Sequence, residues 1–415
     1  MVNTDVHQAM RERPAIRARH GLRAGAAMAL FMLLSSCQGT GSALDAGVGG
    51  ANSQGQATTR KLTPNPQGTV IGTAGTRVAL LLPKSAPGNG GVIAQQFENA
   101  ARLAMRDFGQ AGIQLVIKNT AGQAADAQNV ARQAIDEGSS LILGPIFAGN
   151  VSAASAFSQP SGVPMIAFSS DTTLARRNVY LLSFAPRADV RRTINYAVSQ
   201  GRNSIVALLP NTPYGNLVEK SLRSVLNSGG GTLIAVAKYD RTAAAIEQAA
   251  QSVAAAASGA NAIYVPDDPR AAGAALNALR SAGVPLGQMK VLGSGQWESA
   301  KLSSPLFRGA WHAGRDRSNF GAFAAQYKAA YGSAPSPNAG LAYDAVSMAA
   351  GLIRRHSQNP FASERIESRN GFSGVNGIFR LRSDGKAERG LVVYEVRGGQ
   401  SAVISAAPTA FGAGF

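Results

Sequence analysis

Cysteine is almost absent from these 415 residues, with Cys37 the only one. A lone thiol excludes a disulfide framework and a cysteine-ligated metal cluster within one chain. Histidine is nearly as scarce. His7, His20, His312 and His356 lie far apart and show no metal-ligand spacing. Recognisable catalytic motifs are missing too: there is no Walker A loop, no zinc-type histidine pair and no nucleophile elbow. "GGG" at 229–231 and "GSG" at 293–295 lack the full glycine pattern of a dinucleotide site. Nothing here points to an enzyme or to a bound cofactor. Aromatics are only 6% and the arginines are dispersed, which disfavours nucleic-acid binding. Acidic residues number 23 against 40 basic ones, giving a net charge of +17 that suits an anionic partner or surface, or a plainly solvated basic exterior. Hydrophobic residues at 45% are enough to bury a core, and the length allows two or three domains.

The basic excess begins at the N-terminus. "MRERPAIRARHGLR" carries Arg11, Arg13, Arg17, Arg19 and Arg23, and the apolar segment "AGAAMALFMLL" (24–34) follows. That segment is too short to span a bilayer, which takes ~20 residues, and suits a signal peptide. "LLSSC" (33–37) then sets small residues directly before the cysteine. The pattern resembles the bacterial lipobox, which implies cleavage after residue 36, acylation of Cys37 and a membrane anchor through its acyl chains. Gln38, where lipoproteins of this type carry aspartate when retained in the inner membrane, favours the outer membrane. Translation from Met10 instead of Met1 gives a more typical signal length. Loss of residues 1–36 removes five basic and two acidic side chains and leaves +14. Residues 37–76 are mostly Gly, Ala, Ser, Thr, Asn and Gln, which predicts a flexible tether.

From residue 77 the pattern changes. "RVALLLP" (77–83), "IQLVIKN" (113–119), "SLILGP", "SIVALLP" (204–210), "TLIAVAKY" (232–239), "NAIYVPDD" and "MKVLGS" are apolar strand runs, separated by helical segments. In "GGVIAQQFENAARLAMRDFG", Ile93, Phe97, Ala101, Ala104 and Phe108 recur at helical spacing. Continuous apolar strands alternating with helices predict parallel sheets covered on both faces. A break near 185–200 divides them into two doubly wound lobes. "GVNGIFRLRSDGKAERGLVVYEVRGG" predicts a β hairpin turning at "SDGK".

The ordered set "RVALLLP", "LAMRDF", "LILGPIFAGNVSAASAF", "GVPMIAFSSD", "PYGNLVEKSL", "AIYVPDDP", "VLGSGQW" and "GLAYDAVSMAA" resembles the Leu/Ile/Val-binding family of periplasmic binding proteins across roughly 77–395. The resemblance implies an α/β fold of periplasmic-binding-protein type I: two doubly wound parallel-sheet lobes, a hinge and an inter-lobe cleft. Lobe 1 is expected over about 77–190 plus part of 305–350, lobe 2 over about 191–304 plus 351–395, and 396–415 as a tail.

The resemblance also implies a ligand cleft built from Ser85, Phe147, Ala148, Ser169, Ser170, Asp171, Tyr214 and Asp267. Gly149 and Thr172 flank the two lobe-1 loops. Ala148 stands where amino-acid binders carry a carboxylate-gripping serine, and Gly295 where they carry an acid for the ammonium; Asp267 or Asp171 could replace that acid. Two readings of the 169–171 loop stay open, since Ser169 and Ser170 at a strand edge suit an anion but Asp171 also suits an Asx turn. Trp297 and Trp311 are expected to pack.

The family supplies two functions. Penicillin-binding-protein activator lipoproteins have a lipobox, a tether and this fold, which makes an adaptor of a peptidoglycan synthase the leading expectation. The alternative is a substrate-binding protein that hands an amino acid or related solute to an ABC permease. Both are non-enzymatic and periplasm-facing. Replacing the acylated thiol, Cys37→Ala, should release the protein from membrane pellets into the soluble periplasmic fraction. Continued membrane fractionation of that variant would refute the lipid anchor.

Overall fold

The computed structural model describes residues 62–411 apart from Ala74 and Ser299. The signal segment, Cys37 and the first part of the tether therefore lie outside the described residues. No helix among the described residues is long and apolar enough to cross a membrane.

The strands of lobe 1 are β1 (Thr69–Ile71), β2 (Thr76–Leu82), β3 (Ile113–Asn119), β4 (Leu141–Leu143), β5 (Met165–Ala167) and β6 (Val179–Leu181). They form one sheet in the order β1-β3-β2-β4-β5-β6, parallel except for the antiparallel edge strand β1. Helices α1 (Asn89–Phe108), α2 (Ala124–Asp136) and α3 (Ala148–Ser158) join these strands. Val78 to Leu82 are fully buried because β2 is central and helices cover both sheet faces.

Helices α4 (Pro186–Ser199), α5 (Pro213–Gly229), α6 (Ala243–Ala257) and α7 (Pro269–Ser281) belong with the strands of lobe 2. Those strands are β7 (Ser204–Pro210), β8 (Thr232–Tyr239), β9 (Ala262–Tyr264), β10 (Lys290–Leu292) and β11 (Trp311–Arg315). The chain then returns to lobe 1 through α8 (Phe320–Tyr331) and α9 (Ala339–Arg355), the latter packed along α1. A small sheet follows, β12 (Phe372–Gly374), β13 (Gly377–Leu381) and β14 (Ala387–Arg389), whose Phe379 and Leu381 join the lobe 1 core. The β13–β14 hairpin turns at the predicted "SDGK", and Gly385 O accepts a 2.8 Å bond from Leu181 N. Finally β15 (Leu391–Arg397) and β16 (Gln400–Ser405) complete the second sheet, ordered β16-β15-β11-β10-β9-β7-β8.

The expected lobe boundaries need three corrections. Strand β11, left outside the expected bounds of lobe 2, pairs with β10 and β15 there. Residues 351–389, placed with lobe 2, pack on lobe 1, because α9 continues past 350 and Phe361, Ile366 and Phe379 bury into that core. Residues 396–405 are no tail: they end β15 and supply the antiparallel edge strand β16.

The expected tether also stops short of residue 76. Arg77, Lys118 and Glu137 are buried together, and the chain before β2 supplies the partners they require. Lys118 Nζ donates to Gln67 O at 2.6 Å, Gln67 N donates to a Glu137 carboxylate oxygen at 2.9 Å, and Arg77 Nη2 donates to Thr63 O at 2.9 Å. Buried charges need such bonds. Backbone groups provide them, so a segment poor in apolar residues docks all the same.

One glycine shapes the entry to α5. A Cβ on Gly215 would lie 1.8 Å from Pro210 O, while its own N–H is capped by Thr212 Oγ1 at 3.2 Å. Gly215→Ala must therefore push the first turn of α5, with Tyr214 on it, away from β7. Overpacking of this kind costs about 1–3 kcal/mol, so its denaturant midpoint should fall measurably below that of the wild type.

Candidate functional site

The loops at the carboxyl ends of the parallel strands are the default ligand positions of open α/β sheets. On lobe 1, Ser85 follows β2, and its Oγ accepts a 2.9 Å bond from Asn119 Nδ2. The Phe147 ring covers Gly90 and Gly122, and Ala148 opens α3, which has no side-chain cap. After β5, Ser169 Oγ accepts from Asp171 N at 3.2 Å and Ser170 is exposed. Asp171 Oδ1 takes the N–H and hydroxyl of Thr173 at 3.0 and 2.6 Å, so the carboxylate closes an Asx turn.

On lobe 2, Asp267 is fully buried and already engaged. It accepts from the Tyr239 hydroxyl at 2.9 Å and from Asp268 N at 2.8 Å, and it pairs with Arg241. Asp268 caps α7 through the N–H groups of Arg270 and Ala271, both at 3.0 Å. Trp297, with no exposed surface, packs edge-on to Phe307 and donates to Asp267 O at 2.8 Å. Trp311 packs edge-on to Tyr196, beneath the Lys290 ammonium.

A further space lies where the chain crosses between lobes after β6, after β11 and between β14 and β15. A cavity of about 470 Å³ opens there, lined by Phe184, Pro186, Asp189, Tyr214, Gly295, Glu298, Arg315, Pro337, Arg389 and Leu391 among others. That volume lies within the range of small-ligand sites, roughly 300–1,000 Å³. Of the residues expected to form the cleft, Tyr214 lines this cavity. The lobe-1 loops at 85, 147–149 and 169–172 do not.

Four charged side chains line the cavity, and two of them satisfy each other. Glu298 Oε2 accepts from Arg315 N and Nε at 2.9 and 3.1 Å, and Oε1 accepts from Nη2 at 2.8 Å. Arg315 Nη1 donates to Asn376 Oδ1 at 3.1 Å. The other two are only half used. Arg389, 3% exposed, donates from Nε to Ser183 O at 3.0 Å, while Nη1 and Nη2 make no hydrogen bond among the described residues. Its guanidinium lies 4.5 Å from the Phe184 ring centre and 5.6 Å from that of Phe379. Asp189 Oδ2 accepts from Gly295 N at 2.7 Å, and its shielded Oδ1 has no partner.

Titration follows from these surroundings. Burial, with a further push from the Glu298 charge, raises the Asp189 carboxyl to about 7, against the opposing Gly295 bond. Burial lowers the Arg389 guanidinium to about 10, so it stays cationic at neutral pH. Burial also lifts the Tyr214 hydroxyl to about 12. Neither Asp189 nor Arg389 was among the residues expected from the sequence. The only local sign is an arginine closing the alternating run "AER" directly before the apolar "GLVVY".

A two-lobed α/β protein with parallel sheets, three crossings and a cavity beside them is a type I periplasmic binding protein. The profile of the periplasmic binding protein family matches residues 75–400, and the chain belongs to that family. Solved structures agree on the fold. A Rhodospirillum rubrum protein assigned to branched-chain amino acid ABC transport matches with a TM-score of 0.70 and 20% identity, over 80% of this chain and 100% of that one. A branched-chain amino acid ABC transporter periplasmic ligand-binding protein of Burkholderia xenovorans LB400 gives 0.63 and 18%, over 81% and 97%. LivJ of Streptococcus pneumoniae, solved with isoleucine, gives 0.54 and 19%, over 80% and 100%. Among curated sequences, an uncharacterised protein of Rickettsia prowazekii (strain Madrid E) is 23% identical over 204 residues, 46% of this chain, and the chain spans about half (53%) of that relative's length. Membership in the family implies a periplasmic or envelope location.

Asp189 gives a pH signature. A carboxyl whose folded value lies above its unfolded value binds more protons when folded, so this group's contribution to stability falls as pH rises from about 4 to 7. Asp189→Asn keeps an acceptor for Gly295 N and removes the buried charge. Its melting temperature should exceed that of the wild type by a few degrees at pH 8, at roughly 2–4 °C per kcal/mol, and the gap should shrink at pH 5. A gap independent of pH would contradict this account of Asp189.

Proposed function

We propose that this protein is the solute-binding component of an ABC transporter, capturing a small carboxylate-bearing solute of the amino-acid class and presenting it to a permease. The observation that carries this reading is the cavity at the lobe crossings, lined by Arg389 and Asp189, whose hydrogen-bonding capacity the described residues leave partly unused. Buried charged groups in native proteins are otherwise paired or bonded, because leaving them unsatisfied is costly. Two such incompletely bonded side chains lining one cavity suit a partner that comes and goes. Solved structures similar to this chain are named as ABC transporter binding proteins, one with isoleucine and one with 3,4-dihydroxybenzoic acid bound.

The synthase-adaptor reading drew on Gln38, the long tether and the depleted amino-acid grip at Ala148 and Gly295. Cys37 lies outside the described residues, and the end of the tether docks on lobe 1. The named relatives favour transport over adaptor. Calorimetric titration of the purified protein with proteinogenic amino acids and with small aliphatic and aromatic carboxylates should give saturable heat at one site per chain. A bound solute should also raise the unfolding free energy by about 2.7 kcal/mol when present at a hundred times its Kd. No heat and no thermal shift with any of these solutes, combined with capture of a bifunctional penicillin-binding protein, would overturn transport in favour of the adaptor.

A further inference from the structure

A second concavity lies beside the first crossing, on the other side of β14. Glu388 and Arg389 are successive residues of that strand and so point to opposite faces. Arg389 lines the cavity described above, whereas Glu388 lines a smaller crevice of about 180 Å³. That volume falls below the roughly 300–1,000 Å³ of small-molecule sites and suits an ion. One wall is the start of α4, where Arg187 and Arg191, four residues apart, share a helix face. The other wall is the β13–β14 hairpin, with Arg382, Asp384, Lys386 and Glu388. Gly385 sets this hairpin in place. A Cβ there would lie 2.3 Å from Val179 O and 2.5 Å from Arg176 N, so glycine alone lets the turn sit against β6.

Four positive side chains thus line the crevice with two carboxylates, and both acids are already shared. Glu388 accepts from Arg380 Nε at 2.6 Å, from Arg382 Nη1 at 3.1 Å and from Arg191 Nη1 at 3.2 Å. Asp384 accepts from Lys386 Nζ at 2.9 Å, and Arg382 Nε lies 3.9 Å from it. Asp171, next to Thr172 on the crevice lining, is taken up by Thr173. Arg187 is exposed and forms no ion pair among the described residues. Positive charges gathered this closely repel each other, and an anion among them relieves the repulsion.

The two walls belong to different lobes. Val190, Ile194 and Ala197 root α4 in the core of lobe 2, while Phe379 and Leu381 root the hairpin in the core of lobe 1. The Arg191–Glu388 ion pair spans the gap between them.

We propose that this crevice binds a phosphate dianion, free or carried as a monoester, between Arg187 and Arg191 of α4 and Arg382 and Lys386 of the hairpin. The tetrahedral oxygens of phosphate accept from guanidinium and ammonium groups arriving from different directions, where a carboxylate offers a single plane. The bound ion bridges the lobes at the first crossing. This inference stands apart from whether the larger cavity takes a solute.

The full chain is titrated calorimetrically with sodium phosphate and with glycerol 3-phosphate, in chloride buffer at constant ionic strength. Saturable binding of one phosphate group per chain is expected, together with a rise in melting temperature. Tighter binding of glycerol 3-phosphate assigns the ester as the source, and equal or weaker binding assigns the free ion. Arg187→Gln removes a side chain without an ion-pair partner and should weaken binding about tenfold, as should Lys386→Gln from the opposite wall. Asp384→Asn keeps an acceptor for Lys386 N and removes a competing charge, so it should bind phosphate severalfold more tightly. Absence of saturable binding with both probes overturns the site. Wild-type affinity in either Arg187→Gln or Lys386→Gln overturns the bridge between lobes, and wild-type affinity in both overturns the site itself. Should Lys386→Gln fail to fold by circular dichroism, Arg382→Gln tests the same wall.

Discussion

Arg315 stands where the chain leaves lobe 2 for lobe 1, and the hinge region is organised around its guanidinium. It forms a buried two-point ion pair with Glu298, donates to Asn376 on the small sheet of lobe 1, and lies 5.2 Å from the Phe184 ring centre and 5.6 Å from that of Phe320. One side chain thus touches the segments before and after two crossings as well as the strands leading to the third. The Tyr394 hydroxyl, from the strand after the third crossing, donates to Arg315 O at 2.8 Å. Removing one partner of a buried pair leaves an uncompensated charge at a cost of about 3–5 kcal/mol. The pair thus fixes, from the lobe 2 side, the guanidinium that reaches Asn376 and the Phe184 and Phe320 rings.

Because Arg315 is fully satisfied, the contrast with Arg389 carries meaning. Both are arginines beside the same aromatic ring, and Phe184 lies against each. One has a carboxylate, an amide oxygen and good geometry; the other has a single carbonyl and two idle nitrogens. Burial alone would disfavour the Arg389 charge, and its acidity shifts accordingly. A methionine or leucine of similar volume would fill that space without the cost. A charge kept there at the expense of stability is the pattern of a binding group, since functional sites are where local stability is given up.

The layout of the lobes was legible because parallel strands buried on both faces appear as unbroken apolar runs. β3, β7 and β8 occupy the very residues of "IQLVIKN", "SIVALLP" and "TLIAVAKY". The hairpin turn at "SDGK" was legible because its signal is local. What escaped was long-range. β1 and the docked chain at 62–71 depend on buried charges at 77, 118 and 137, whose partners are backbone atoms without a composition signal. β11 has an ordinary strand pattern, and only pairing with β10 and β15 says which lobe owns it. The acid at the cavity was sought at Asp267 and Asp171, nearby in sequence or strand position. Asp189 reaches the same space from the first turn of α4, more than a hundred residues from the glycine it contacts.

Position along the hinge has a mechanical consequence. A rotation between lobes moves atoms in proportion to their distance from the axis, so groups at the crossings shift least and groups at the cleft rim shift most. Arg389 and Asp189 sit on the crossing segments, whereas Ser85 and the 169–171 loop sit on strand ends of lobe 1. Side chains held at the crossings therefore keep nearly the same arrangement at any degree of opening, which is the condition for a low ordering cost. The rim loops, by contrast, owe their shape to bonds within lobe 1, through Asn119, Asp171 and Thr173.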